Sequence, residues 1–306
     1  MGFDVHQHVW PTEFLDALRA RSAPPRLDGW TLLLDGEPPY EVDPRDHDIA
    51  RRARLNRDGG VELALVSLSS PLGVEHLPPG EAWPLIDAYH AGARALPEPF
   101  GYWAAACAGD PDPDRLAREL DAGAAGLQLP ATAMSDAGGL AAAAGLLDVL
   151  EAYDLPLFVH PGPAAHGDAG PGWWPAVVPY VQQMHAAWYA FRAFGRARHP
   201  RLRVCFALLA GLAPLHSERL RNRGGAGRGE VDPGLYVETS SYGPRAIDAI
   251  VRELGIDVVV NGSDQPYAEA PATGLGAAAE HAVRTANPIR LLNRPQRARP
   301  GKESHP

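Results

Sequence analysis

Lysine is almost absent from this chain. Of its 28 basic side chains every one but Lys302 is an arginine. That excludes a carbamylated lysine bridging two metals, a Schiff-base lysine and a P-loop lysine, none of which can be built so near the C-terminal end. Positive charge is scarce overall: a formal net charge of -9 and a pI near 5.7 argue against nucleic acid or an anionic membrane as partner and for a small-molecule substrate. Cysteine is limited to Cys107 and Cys205, both inside apolar strand-like runs. This excludes a disulfide framework and fits reduced, buried thiols in a cytoplasmic protein. No stretch reaches the ~18 consecutive apolar residues of a membrane span, and a charged leader followed by an apolar core is missing, so the expectation is a protein neither inserted nor exported.

What is present is a chain of 306 residues, 45% hydrophobic, long enough for two ordinary domains or one α/β barrel. Apolar runs of strand length cover 3–9, 61–68, 101–107, 125–129, 155–159, 202–208, 235–238 and 257–261. They are continuous rather than alternating, as strands buried on both faces should be. Helical signals fall between them, at 46–56, 112–122, 138–153, 179–198, 214–221, 244–254, 274–285 and 288–292. Eight strands alternating with helices predict an α/β fold, a closed (β/α)8 TIM barrel over 1–294. An insertion at 24–45, after the first strand, reads as a hairpin over the barrel mouth. The glycine-rich segment 223–229 reads as mobile and the tail 295–306 as disordered.

Barrel enzymes carry their reacting groups at the C-terminal ends of strands. On the first strand, His6 and His8 are one residue apart, so in an extended strand both imidazoles point to one face, close enough to share one ion. Taken alone, such a pair could equally be two histidines satisfied in a wet loop. His160 ends the fifth strand and Asp264 the eighth, and each alone could be a core histidine or a turn acid. Together, three imidazoles and one carboxylate at one mouth make a four-ligand metal site with room for water.

These residues, with Arg57-Asp58-Gly59-Gly60-Val61, Gly126-Leu127-Gln128-Leu129, Leu202-Arg203-Val204-Cys205-Phe206-Ala207, Gly262-Ser263-Asp264-Gln265-Pro266-Tyr267 and Asn287-Pro288, resemble the amidohydrolase superfamily, in the branch typified by aminocarboxymuconate-semialdehyde decarboxylase. The resemblance spans nearly the whole chain. It implies one divalent ion, usually Zn2+ with Mn2+ possible, held by His6, His8, His160 and Asp264. It also implies a homodimer, and places Gln128 where binuclear relatives have a lysine or glutamate. The departure is at strand 6: where relatives follow the Cys-Phe-Ala-like run with His-Gly-Gly-Gly, this chain has Leu208-Leu209-Ala210-Gly211, and Leu208 cannot move a proton. His216 and Arg219 match a histidine and an arginine of the family's decarboxylases, the arginine reaching a substrate carboxylate across the dimer interface. Arg219 also reads as a surface charge pairing Glu218 or Asp248.

His166, His185 and His216 are the candidates to replace the missing base. His166 is preferred because it follows a ligand directly in the loop after strand 5, and His185 sits on a helix where packing is the common role. Trp173 and Trp174, in the same loop as His166, could wall an apolar substrate or staple the loop to the barrel. The leading expectation is a mononuclear metal-dependent hydrolase acting through a metal-activated water, with Asp264 as base. Two alternatives stay open: non-oxidative decarboxylation of a small aromatic or unsaturated acid, and a catalytically silent barrel with a binding role.

Overall fold

A computed structural model describes residues 2–164, 171–225 and 231–293. His166, part of 223–229 and the tail 295–306 lie outside the described residues. Eight parallel strands form the centre: β1 Gly2–Gln7, β2 Val61–Val66, β3 Phe100–Tyr102, β4 Leu127–Pro130, β5 Leu157–His160, β6 Val204–Phe206, β7 Leu235–Glu238 and β8 Val259–Val260. They pair in chain order within two groups, β1 to β3 and β4 to β8. Two seams join the groups. At one, Gln128 N donates to the Ala104 carbonyl at 2.7 Å; at the other, Val5 N donates to Asn261 O at 3.0 Å and His8 N to Gln265 O at 2.7 Å. The ring is the expected (β/α)8 barrel.

Each of the eight apolar runs overlaps a strand, because a strand covered on both faces must be largely apolar. In register inside the ring, Gln128, Phe158, Cys205 and Tyr236 share one level. Phe158 stacks on Trp103 at 5.2 Å, and the Trp103 indole donates to Val5 O at 2.9 Å. This packed floor lies beneath the mouth.

The helices follow their local signals where these are strong. Asp112 accepts from Arg115 N to start Pro113–Asp121, and Asp136 accepts from Gly139 N to start Ala137–Tyr153. Elsewhere the structure corrects the reading. The segment 179–198 is α-helical only over Pro179–Ala190 and then widens into a π turn, Phe191–Gly195. The segment 214–221 is 3-10 helical up to His216 and α-helical only over Ser217–Arg221. Helices Thr12–Arg19 and Pro79–Arg94 had no counterpart in the reading; the first has no side-chain cap and the second contains Pro84.

The insertion is a three-stranded antiparallel sheet rather than a simple hairpin: Arg26–Asp28 pairs with Thr31–Leu33, which pairs with Tyr40–Glu41. A stack fixes it to the barrel. His47 lies 4.3 Å from the Trp10 ring and 6.4 Å from Trp30, nearly parallel to both, and accepts from Trp10 N at 3.1 Å.

His47 and His90 are buried as neutral rings, and this sets a pH dependence. Burial, then the charge of Arg52, pushes His47 down to about 3; burial above all pushes His90 down to about 4. Unfolded, both titrate near 6.5. The stability these two histidines contribute is therefore complete above pH 6.5 and falls as the pH drops towards 4, where the unfolded chain takes up protons that the fold refuses. Thermal melts should show a lower Tm at pH 5 than at pH 7.5. In His90→Gln, which keeps an acceptor for Ala105 N, that loss should shrink by roughly 2 kcal/mol; an undiminished loss would contradict the assignment.

Candidate metal centre

The ligand-bearing strand is not flat. Asp4 pairs with Ala64 and Gln7 with Val66, so three steps on β1 oppose two on β2, a bulge of the kind that re-aims side chains beside active sites. The His6 and His8 rings meet edge to face, 5.0 Å apart, and His160 completes the triangle at 4.8 Å from His6 and 5.1 Å from His8. Asp264 arrives from the other seam, its φ of +60° held while its N–H donates to His6 O at 2.8 Å.

Each imidazole is anchored through Nδ1. His8 Nδ1 lies 3.1 Å from Ser67 O, His160 Nδ1 2.8 Å from Pro161 O, and His6 Nδ1 3.1 Å from Glu238 Oε1. A carbonyl oxygen only accepts, so His8 and His160 carry their proton on Nδ1 and turn a bare Nε2 inward. His6 Nε2 and His8 Nε2 face each other at 3.1 Å, and Asp264 Oδ1 lies 3.3 Å and 3.2 Å from them. One ligand atom from each of the four residues lies within 4.8 Å of the rest. This is the donor set expected to hold a divalent ion.

The charges agree. Asp264 and Glu238 have only histidines as ion-pair partners among the described residues; two carboxylates in a buried pocket with no arginine or lysine call for a divalent cation. Burial lowers the pKa of His8 and takes His160 well below its ordinary value, keeping both neutral. Burial would also lower that of His6, but Asp264 and Glu238 outweigh it and raise it. Without an ion, the centre draws a proton to His6 instead.

A buried brace stands behind the ligands. Asp4 Oδ1 accepts from His6 N at 3.2 Å and Ser263 N at 3.0 Å, and Oδ2 from Gln7 Nε2 at 2.8 Å. Gln7 Oε1 in turn accepts from Arg52 at 2.9 Å, whose guanidinium also reaches the carbonyls of His8 at 3.0 Å and Gln265 at 3.3 Å. Gln7 thus links Asp4 to Arg52 by hydrogen bonds through its amide.

After β6 the backbone leaves ordinary geometry. Leu208 to Leu212 all have φ between +48° and +59°, a left-handed turn costing about 1–2 kcal/mol for each residue other than Gly211. At Gly211 a Cβ would come within 2.6 Å of Val181 O. Leu208 is buried, and its N–H donates to Glu238 Oε1 at 2.9 Å.

Of the other residues singled out from sequence, His216 is exposed at the end of this turn with its ring 4.9 Å from His185, outside the four-ligand set. Arg219 is exposed on the short helix Ser217–Arg221. Trp173 and Trp174 are exposed, their rings 5.9 Å apart. Sequence reasoning missed Glu238, whose signal was a charged residue closing an apolar barrel strand. It also missed Tyr267, its ring 5.6 Å from His8, and the buried cluster beside Gln128. There Gln128 Nε2 donates to Ser70 Oγ at 2.7 Å, Ser70 Oγ donates to Glu75, and Glu75 Oε2 has no partner among the described residues.

The barrel with this mouth defines a metal-dependent α/β-barrel enzyme class. The Amidohydro_2 model, described as amidohydrolase, matches residues 3–292, and the chain belongs to that family. No curated protein matches it in sequence. Among solved structures it is similar to Metarhizium anisopliae IDCase in apo form (TM-score 0.76, 16% identity, covering 96% of this chain and 97% of that one). It is also similar to 5-carboxyvanillate decarboxylase from Novosphingobium aromaticivorans with bound manganese (0.72, 16%, 96% and 97%) and to 2,6-dihydroxybenzoate decarboxylase from Rhizobium (0.68, 20%, 96% and 99%).

Burial pushes Glu75 up to about 7 from an ordinary 4.5. An acid whose pKa the fold raises contributes fully below pH 4.5, and its contribution is lost as the pH climbs through 7. Glu75→Gln should therefore match wild type near pH 4.5 and exceed it at pH 8 by up to about 3 kcal/mol. Denaturant unfolding at both pH values checks this, and a difference that does not change with pH would contradict it.

Proposed function

We propose that the chain is a metal-dependent, non-oxidative decarboxylase acting on a small aromatic or unsaturated acid. The observation that carries this is the mouth itself: one ligand atom each from His6, His8, His160 and Asp264 lies within 4.8 Å of the others, on a barrel shared with decarboxylases. That likeness favours loss of carbon dioxide over hydrolysis. Arg219 and the strand-6 run favour it as well, while Leu208 counts against it, standing where the resembled branch carries a histidine.

A bound divalent ion would supply a Lewis acid that anchors the substrate's oxygen atoms and draws electrons from the carbon that loses its carboxylate. Zinc suits the three-imidazole set; manganese, as in the Novosphingobium enzyme, is the second choice. His6, His8, His160 and Asp264 would hold the ion. Asp264 takes up a proton from solvent and delivers it to the substrate carbon as the carbon–carbon bond to the carboxylate breaks. The products are carbon dioxide and the protonated arene or alkene. Arg219 pairs the substrate carboxylate from across a homodimer, Trp173 and Trp174 wall its apolar part, and the remaining acid–base role passes to His166 or His216. The protein works in the cytoplasm, with neither nucleic acid nor membrane as partner.

Screening hydroxybenzoates and unsaturated dicarboxylates for released carbon dioxide tests the reading. Turnover should vanish with a chelator, return with zinc or manganese, and drop at least about 100-fold in Asp264→Asn. Hydrolysis of esters, lactones or amides without carbon dioxide would replace it with the hydrolase reading; a metal-filled protein inert to both panels would leave the silent barrel.

A further inference from the structure

Glu238 holds more than His6. Its carboxylate is wholly buried, and every group facing it is a donor or is made one. Oε1 takes His6 Nδ1 at 3.1 Å, Leu208 N at 2.9 Å and Ser240 Oγ at 2.7 Å, while Oε2 takes Ser240 N at 2.6 Å. Two of these are backbone N–H groups, which cannot accept, so both oxygens act as acceptors, as an ionised carboxylate's do. His6 must then donate from Nδ1. Gly262 leaves the space: a Cβ there would come within 2.2 Å of Oε2 and 3.0 Å of His6 Cβ.

Leu208 N is also the first amide of the left-handed turn. Only Gly211 in that turn is free of the Cβ penalty, so the other four residues stay left-handed only while tertiary contacts hold them. Such contacts include Leu208 N on Glu238 and the close approach of Gly211 to Val181 O, while Ala210 N on Ala207 O at 2.9 Å closes the turn locally.

We propose that Glu238 is a positioning residue coupling the metal centre to the 208–212 turn. The oxygen that orients His6 for an ion also pins the first amide of the turn, so filling the site and holding the turn stabilise each other. A cation on Nε2 makes the Nδ1 proton a stronger donor and stills the ring, which fixes Oε1 under Leu208 N. By reciprocity a loosened turn weakens ion binding. This inference rests on the metal-centre reading above.

Hydrogen exchange over 207–216, with and without saturating zinc, and zinc affinity by chelator competition, test it on the full chain. Zinc should slow exchange over 207–216 in wild type. Glu238→Gln must turn an NH2 towards one of the donors; it should bind zinc 10–100-fold more weakly and show no such protection when saturated. Ser240→Ala, a milder change, should lose part of both effects, which serves if Glu238→Gln does not fold. Wild-type protein that binds zinc with exchange over 207–216 unaltered, or variants with unaltered affinity, would overturn the coupling while leaving the metal centre standing. Wild-type protein that binds neither zinc nor manganese would overturn both.

Discussion

Two ring nitrogens without protons, His6 Nε2 and His8 Nε2, face each other at 3.1 Å in a buried pocket, with a carboxylate oxygen beside both. Lone pairs so placed repel, and only a positive charge between them makes the arrangement favourable. A proton on His6 is the weak answer and a divalent ion the full one, because Asp264 and Glu238 bring two negative charges that no arginine or lysine among the described residues meets.

Much of the barrel near β1 and β8 enforces that unfavourable meeting. The His6 and His8 rings meet edge to face, 5.0 Å apart. Carbonyls of Ser67 and Pro161 take the Nδ1 protons that could otherwise have relieved the crowding. Asp4, Gln7 and Arg52 tie the end of β1 to the loop after β8, so the four residues cannot drift apart without leaving buried hydrogen-bonding groups unpaired. Such pre-organisation is what a site for one ion requires.

The strands were legible because burial on both faces leaves no alternative to a continuous apolar run, and the four ligands were legible because three of those runs end in histidine or lead to Asp264. What was not legible depends on partners distant in the chain. The His6–His8 pair reads as plain alternation, but the register shift against β2 between Asp4 and Gln7 is not written in the local pattern. The stretch 208–212 reads as an ordinary apolar segment; its left-handed path comes from Glu238 and helix Pro179–Ala190, which local sequence does not encode. Helix Pro79–Arg94 hides behind Pro84. Leu208 was visible as a departure from the family, but where its amide goes was not.

The central claim is that His6, His8, His160 and Asp264 hold one divalent cation, and X-ray absorption at the zinc edge of reconstituted protein tests it most directly. The expected spectrum shows three imidazole nitrogens at about 2.0–2.1 Å with their outer-ring scattering, plus carboxylate oxygen. An all-oxygen shell without imidazole scattering, or protein that retains no zinc, would contradict it.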